Sequence, residues 1–252
     1  MNWADDPTLI IIWAKNRGLF KGMRIIVHVE GQTEEAFVNE VLAPHLYGIG
    51  YTGVSARLLG AARSRRRRGG ICPWSVARDE IFKHLANDAG AVATTIVDYY
   101  ALPADEEGWP GRAECAALNL DERSEFLAQQ MTSSFLAQYP AQANRFIPYV
   151  AMHEFEALLF SDTGAMARGF GTPGLTDTLQ SIRNLFDSPE HINDSPETAP
   201  SKRIIAVVPR YQKVLQGNLA ALEVGLETMR SECSGFAAWL HKLEALAPAN
   251  NV

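Results

Sequence analysis

A short apolar run followed at once by a carboxylate constrains this chain more than any other feature. Residues 25–29 read Ile-Ile-Val-His-Val and are rich in β-branched side chains. Such a run predicts a strand that is buried on both faces, as in parallel sheets. The run stops at Glu30-Gly31, which places Glu30 at the carboxyl end of the strand. In open α/β sheets, ligands and chemistry collect at that end.

A helix is predicted directly after Gly31. Thr33 is expected to cap it, and Glu34 and Glu35 lie in its first turn, where carboxylates interact favourably with the helix dipole. A carboxylate that merely ends a strand in solvent is the ordinary interpretation of Glu30. The Gly that follows it, and Glu34 one helical turn later, favour a site.

The same pattern recurs further along the chain. Ala91 to Val97 is predicted to be a second buried strand, and it ends at Asp98. Carboxylates at the tips of neighbouring parallel strands converge, and such hard oxygen ligands suit Mg²⁺. The alternative is that Asp98 is only a turn residue.

The remaining pattern predicts a strand at 54–59, a helix at 75–85, an irregular stretch at 102–120 and a helix at 122–138. A further strand is predicted at 146–151, at the edge of the sheet because of Pro148. His153-Glu154-Phe155-Glu156 follows it and opens a helix, so polar groups again lie at the carboxyl edge. Glu154 and Glu156 are two residues apart, so only one of them is expected to face the site.

The last third of the chain is predicted to be helical. An amphipathic helix is expected at 175–186, and two closing helices at 219–229 and 236–246 are expected to pack through Leu222, Leu226, Phe236, Trp239, Leu240 and Leu243. We therefore expect an N-terminal extension (1–22), an α/β core (23–165) and a helical C-terminal part packed on the core (166–247). Met23 is interpreted as the natural start, and residues 1–22 either pack outside the domain or meet a neighbouring chain.

Composition narrows the class of protein. The net charge is -6 and the sequence pI is about 5.6, so any nucleic-acid binding must use a local basic patch. The three cysteines are far apart, which indicates neither a zinc site nor a disulfide framework and fits the cytoplasm. No apolar run approaches the roughly 20 residues of a membrane span.

One dense positive cluster stands out in this acidic chain. Residues 63–70 read Arg-Ser-Arg-Arg-Arg-Arg-Gly-Gly. A solvated loop is the common interpretation of such a run. Beside the predicted strand ends, Arg65, Arg66, Arg67 and Arg68 would instead be well placed to bind phosphates.

Four blocks of the sequence resemble a known group of proteins. Glu30-Gly31-Gln32-Thr33-Glu34-Glu35 resembles the first motif of Toprim domains, above all those of OLD-family nucleases. The blocks Asp98-Tyr99-Tyr100-x-x-Pro103, 153–160 and 200–204 resemble a bacterial Toprim-like family of unassigned function. The resemblance runs from about Met23 to about Leu246. It implies a Toprim-like (Rossmann-like) α/β fold, with a mostly parallel sheet flanked by helices and a helical C-terminal extension.

The resemblance also implies a set of site residues. Glu30 and Asp98, with one acid among Glu34, Glu154 and Glu156, would bind Mg²⁺ or Mn²⁺. Lys202, in the 200–204 block, would neutralise phosphate charge, as a late Lys does in OLD-like nucleases; a surface Lys is the equal alternative. Toprim domains usually carry Asp-x-Asp where this chain has Asp98-Tyr99-Tyr100, so one carboxylate is missing. Tyr100 is a further candidate, either as a site residue or as a buried aromatic side chain. His153 is a candidate with Glu154 and Glu156; the alternative is that these residues form an ordinary first helical turn whose acids suit the helix dipole.

The leading hypothesis is a metal-dependent nuclease acting on DNA or RNA. The resemblance implies an effector subunit of an anti-phage defence system that works with an ABC/SMC-like ATPase. The chain has no Gly-x-x-x-x-Gly-Lys-Ser/Thr motif, so that ATPase would be a separate subunit. The alternatives are a non-catalytic Toprim-like regulatory or assembly subunit and a nucleotide phosphotransfer or phosphohydrolase enzyme. No membrane association is expected, and homo-oligomerisation remains open.

Overall fold

The computed structural model describes residues 22–60, 70–105, 108–192, 195–208 and 210–247. The expectations for the N-terminal extension up to residue 21 and for the arginines at 65–68 lie outside these residues.

A parallel sheet forms the centre of the described chain. Its strands are β1 (Arg24–Val29), β2 (Gly53–Leu58), β3 (Ala91–Asp98), β4 (Phe146–Ile147) and β5 (Val150–Ala151). The order is β2-β1-β3-β4, with β5 also paired to β3, and every pairing is parallel. The expected parallel sheet flanked by helices is confirmed. The single strand predicted at 146–151 is instead two short strands, β4 and β5, which Pro148 and Tyr149 separate. Pro148 has no N–H to donate within a sheet, and β4 lies at the edge as expected.

Helices connect and cover these strands. They are α1 (Gln32–Phe37), α2 (Ala43–Gly48), α3 (Trp74–Asn87), α4 (Leu120–Gln138), α5 (Thr163–Gly169), α6 (Thr176–Arg183), α7 (Pro200–Val207), α8 (Lys213–Val224), α9 (Leu226–Glu232) and α10 (Ser234–Leu246). A π-helical segment (Val38–Leu42) joins α1 to α2, and a 3₁₀ helix (Phe155–Ser161) follows β5.

The sheet has a buried core on each face because side chains alternate along a strand. Ile25, Val27 and Val29 point to one face and are fully buried in a core that also includes side chains of α1, α5, α8 and α10. Ala91, Ala93 and Val97 point to the other face, which α3 and α4 cover. The result is a three-layer arrangement with helices on both sides.

Two arginines fix the amino ends of β1 and β3. Arg24 Nε donates to Asp88 Oδ2 at 2.6 Å. Arg145 is buried and donates to the carbonyl oxygens of Leu85, Asp88 and Ala91 at 2.9–3.0 Å. These contacts close the α3–β3 connection and leave the opposite, carboxyl edge of the sheet for a site.

The structure differs from the sequence-based expectations in the C-terminal part. Three helices close the described chain where two were predicted, because Gly225 adopts φ 78° and ends α8. Leu222 is 46% exposed, so the prediction that it packs in the core is wrong. α5 runs across the expected boundary at residue 165, and the domain division stays a prediction. No described helix has the length and apolar character needed to cross a membrane.

Candidate functional site

A cleft opens at the carboxyl ends of β1 and β3. Its volume is about 230 Å³, and its lining residues are Glu30, Gly31, Thr33, Glu34, Gly70, Asp98 and Lys213. β1 and β3 are adjacent and parallel, so the expectation that Glu30 and Asp98 lie at neighbouring strand ends is confirmed. Topology therefore brings together carboxylates that are far apart in sequence.

Glu34 is held by the turn that leads from β1 into α1. Its Oε2 accepts a hydrogen bond from the Gly31 backbone N–H at 2.9 Å, and the residue is 3% exposed. Gly31 is the N-cap residue, so the prediction that Thr33 caps this helix is wrong. A Cβ at position 31 would lie 3.1 Å from Glu34 Oε2, which favours glycine there. Glu34 is thereby fixed at the cleft.

Glu30 lies at the tip of β1. The backbone N–H of Gly70 donates to its carbonyl oxygen at 2.7 Å. Within the described chain, its side-chain Oε2 is buried and has no hydrogen-bond partner. Burial and the neighbouring Glu34 carboxylate raise the pKa of Glu30. Glu30 therefore keeps its proton to a higher pH than a free Glu side chain does.

Asp98 ends β3 and faces the same cleft. It is 6% exposed, and its Oδ1 accepts a hydrogen bond from the Phe155 backbone N–H at 2.8 Å. Burial and the charge of Glu34 raise the pKa of Asp98 well above its usual value, while Lys213 opposes the shift. The contact with Phe155 also joins β3 to the 3₁₀ helix that carries Glu156.

Lys213 supplies the positive charge in this acidic cluster. Its Nζ lies 3.1 Å from Glu156 Oε1 and 4.0 Å from Asp98 Oδ2. Glu156 has no exposed surface, and burial raises its pKa to about 7 although Lys213 acts against the shift. Burial acts to lower the pKa of Lys213, but Glu156 and Asp98 outweigh it and raise that pKa. The ammonium thus stays charged.

The turn between α7 and α8 delivers two side chains to the cluster. Arg210 has φ 60°, a backbone conformation that non-glycine residues rarely adopt. Tyr211 and Lys213 follow it. The Tyr211 hydroxyl is buried and lacks a hydrogen-bond partner in the described chain, and a Cβ at Gly217 would lie 2.9 Å from it. Burial and the Glu156 carboxylate raise the pKa of Tyr211.

The two acids of the 153–156 block have different surroundings. Glu156 contacts Lys213, whereas Glu154 Oε2 accepts a hydrogen bond from the Ser201 backbone N–H at 2.8 Å, at the start of α7. Lys202 is the next residue and is exposed. The lysine that the structure brings to the carboxylates is Lys213, which sequence reasoning did not identify. No local motif marks Lys213, since it only follows a turn and begins a helix.

His153 and Tyr100 lie beside the cleft but do not line it. The His153 ring has no exposed surface, and its centroid is 5.4 Å from the rings of both Tyr99 and Tyr100. Burial and the charge of Arg123 lower the pKa of His153 to about 3. His153 is therefore a neutral ring within an aromatic cluster.

The donor atoms of this cleft suit a divalent cation, since they are carboxylate oxygens and one of them, Glu30 Oε2, is buried without a partner. These oxygens do not form a complete set of ligands around one point. In the part of the chain that the structure describes, no group of three or more His, Cys, Asp or Glu side chains is arranged to hold a metal ion. Lys213 stands between Asp98 and Glu156 instead.

Residues 29–244 match the family model of a domain of unknown function, DUF4276. The chain belongs to the DUF4276 family. The match begins at the last residue of β1 and ends inside α10, so it spans every element that forms the cleft. Neither the curated proteins nor the solved structures gave a match. The DUF4276 family assigns no activity, and function is therefore inferred from the cleft.

Proposed function

We propose that this protein is a metal-dependent nuclease that hydrolyses phosphodiester bonds in DNA or RNA. The observation that carries the proposal is the buried cluster of Glu30, Glu34 and Asp98 at the carboxyl edge of a parallel sheet, with Lys213 beside it. Perturbed carboxylates in a cleft are characteristic of catalytic sites. The Toprim-like sequence blocks support the same class of reaction.

Glu30 and Asp98 are the residues proposed to hold Mg²⁺ or Mn²⁺, with Glu34, Glu154 and Glu156 as the further acids available nearby. Such an ion, when bound, activates water, polarises the phosphate and stabilises the leaving oxygen. The protein holds two of these carboxylates in place: Glu34 accepts a hydrogen bond from the Gly31 N–H, and Asp98 accepts one from the Phe155 N–H.

The chain's own groups have further proposed roles. Lys213 carries a positive charge at the cleft and is placed to bind a phosphate oxygen, where an ammonium stabilises developing negative charge. Glu30 has a raised pKa, so it keeps its proton to a higher pH than a free Glu and would lose that proton on binding the cation. Lys202 is exposed next to the Glu154 contact and is a second cation for the substrate backbone.

The arginine run is proposed to bind the nucleic-acid backbone. Its residues lie outside the described chain, but the residues on either side of it are well placed. Leu59 N–H donates to Val29 O at 2.9 Å, and Gly70 N–H donates to Glu30 O. Leu59 and Gly70 thus both lie beside the tip of β1, and they flank in sequence the run that carries Arg65, Arg66, Arg67 and Arg68. A separate ATPase partner and a role in anti-phage defence are proposed from the resemblance alone.

A cleavage assay tests the proposal. The full chain is incubated with supercoiled plasmid, single-stranded DNA and tRNA, each with EDTA, Mg²⁺ or Mn²⁺. We expect cleavage of at least one substrate with a divalent cation, none with EDTA, and loss of cleavage in Glu30→Gln. The exposed acid Glu40 provides the control variant Glu40→Gln. Equal cleavage by Glu30→Gln would assign the activity to a contaminant.

A non-catalytic Toprim-like regulatory or assembly subunit is the second candidate. The ion pair between Lys213 and Glu156 favours it, since an internal cation can balance buried acids for structural reasons alone. This candidate predicts no cleavage of any substrate and no binding of Mn²⁺. Calorimetric titration with Mn²⁺ measures the second of these outcomes directly.

A further inference from the structure

Lys213 and Glu156 form a pair in which one partner is fully buried and the other is partly exposed. Glu156 is fully buried in the 3₁₀ helix, and Asp98 is fixed by its hydrogen bond from Phe155. The Lys213 side chain is 41% exposed. It has four rotatable bonds and can reach solvent without any movement of the backbone.

The position of Lys213 is set by the carboxylates and not by its own helix. It is the first residue of α8, where the helix dipole is positive and a cation is unfavourable. The described chain gives its ammonium no ion-pair partners within 4.0 Å other than Glu156 and Asp98. The attraction of these two acids therefore holds the side chain over the cleft.

The acids exceed the single positive charge. Glu30, Glu34 and Asp98 line the cleft with a single lysine, Lys213, and Glu156 contacts the same ammonium. A divalent cation would supply the missing positive charge. It would also repel an ammonium a few ångströms away, because like charges at that separation interact strongly in a partly buried site.

We propose that Lys213 is an intramolecular competitor for the cation site, so that a divalent cation binds only when the lysine ammonium leaves Asp98 and Glu156. The inference rests on the proposed function and adds to it a means of setting cation affinity. The released ammonium remains at the rim of the cleft, where an anionic substrate is expected to bind it.

Binding of Mn²⁺ to the full chain, measured by calorimetry, tests the competition without any activity readout. Lys213→Met removes the charge and keeps the length of the side chain, whereas Lys213→Arg keeps the charge. Lys242 is the matched control: its side chain is 43% exposed and pairs with Glu125 at 2.7 Å. We expect Lys213→Met to bind Mn²⁺ at least tenfold more tightly than the wild type, and Lys213→Arg and Lys242→Met to bind within twofold of it.

A second measurement uses the wild type and does not depend on the folding of a variant. Lysine acetylation by an N-hydroxysuccinimide ester is followed by mass spectrometry with and without saturating Mn²⁺. We expect acetylation of Lys213 to accelerate severalfold with Mn²⁺ while that of Lys242 is unchanged. An unchanged or slower rate at Lys213 would overturn the proposal.

The outcomes separate this inference from the proposed function. If the wild type binds Mn²⁺ and Lys213→Met binds no more tightly, the competition is wrong and the nuclease proposal stands. If neither protein binds Mn²⁺, both the competition and the metal-dependent activity are wrong. If Lys213→Met binds more tightly but no nucleic acid is cleaved, the competition stands and the nuclease proposal is lost.

Discussion

The ammonium of Lys213 lies 3.1 Å from the carboxylate of Glu156, a side chain with no exposed surface. We expect Lys213→Met to destabilise the protein at pH 8 in EDTA by about 1–3 kcal/mol, less than for a fully buried pair because Lys213 is partly exposed. Lys213→Met/Glu156→Gln should recover much of this loss, because no buried charge is left without a partner. Urea unfolding of the two single variants and the double variant measures the coupling. Strictly additive losses would show that the pair contributes nothing as a pair.

Glu30→Gln should separate folding from function. The replacement keeps the size of the side chain and removes an acid whose Oε2 is buried without a partner, so we expect stability within about 1 kcal/mol of the wild type or slightly above it. Cleavage should fall by about 100-fold or more, because losing a direct ligand of the cation costs at least as much as losing a residue that only orients such a ligand. Thermal unfolding and the cleavage assay, with Glu40→Gln alongside, give the two readouts. A variant that fails to fold would assign Glu30 a structural role.

Replacing Arg65, Arg66, Arg67 and Arg68 by Gln should weaken nucleic-acid binding and flatten its salt dependence. For every phosphate that the variant no longer neutralises, the slope of log K against log salt should fall in magnitude by about 0.7–0.9. Fluorescence anisotropy across a salt titration measures it. Lys83→Gln/Lys242→Gln, which neutralises one exposed and one half-exposed lysine, should leave the slope unchanged. An unaltered slope in the arginine variant would leave the run as a solvated loop.

His28 is expected to make the protein less stable in acid. Burial and the neighbouring His84 lower the pKa of His28 to about 3, with a smaller contribution from Arg57. Its Nε2 lies 2.8 Å from His84 Nδ1. Burial lowers the pKa of His84 as well, and the Glu80 carboxylate opposes that shift. The unfolded chain therefore binds a proton below about pH 6.5 that the folded protein does not, and stability falls as pH drops from there towards 3.

The buried acids of the cleft have the opposite effect on stability in acid. The raised pKa of Glu156 means that the folded protein binds a proton more readily than the unfolded chain, which favours folding as the pH falls. The contribution of His28 is therefore measured as a difference between proteins. Between pH 6.5 and 4.5, His28→Gln should reduce the slope of unfolding free energy against pH by up to about 1.4 kcal/mol per pH unit. Urea unfolding in EDTA measures it. Exposed His241→Gln is the control, and equal slopes in all three proteins would contradict the prediction.

Gly169→Ala should loosen the helix that carries Lys213. A Cβ at position 169 of α5 would lie 2.3 Å from the Ala220 Cα of α8, a backbone contact that cannot yield easily. We expect a loss of about 1–3 kcal/mol, as for other overpacked sites. Gly174→Ala is the matched control, since nothing lies within 4 Å of a Cβ there. Equal melting temperatures for the two variants would show that the two helices separate at little cost.

Much of the sheet was accessible from local pattern. The apolar runs of β1 and β3 predict strands because a strand covered on both faces must be apolar along its whole length. Glu30 and Asp98 break those runs at one end, so their places at the carboxyl edge were also predictable. The position of the helix after Gly31 was predictable from sequence, but its capping contact was not. Thr33 and Glu34 can both accept a hydrogen bond from a backbone N–H at a helix start, and the structure uses Glu34.

The sequence by itself determined β1 and β3, their buried character and the two carboxylates at their tips, because these depend on neighbouring residues. The tertiary structure alone decided that Lys213 pairs with Glu156 and Asp98, since that pairing depends on how α8 packs against the core. It also decided which face of α8 is buried. Leu215, Leu219 and Leu222 are exposed while Ala220 and Ala221 are covered, because Gly169 allows α5 to approach at the small residues.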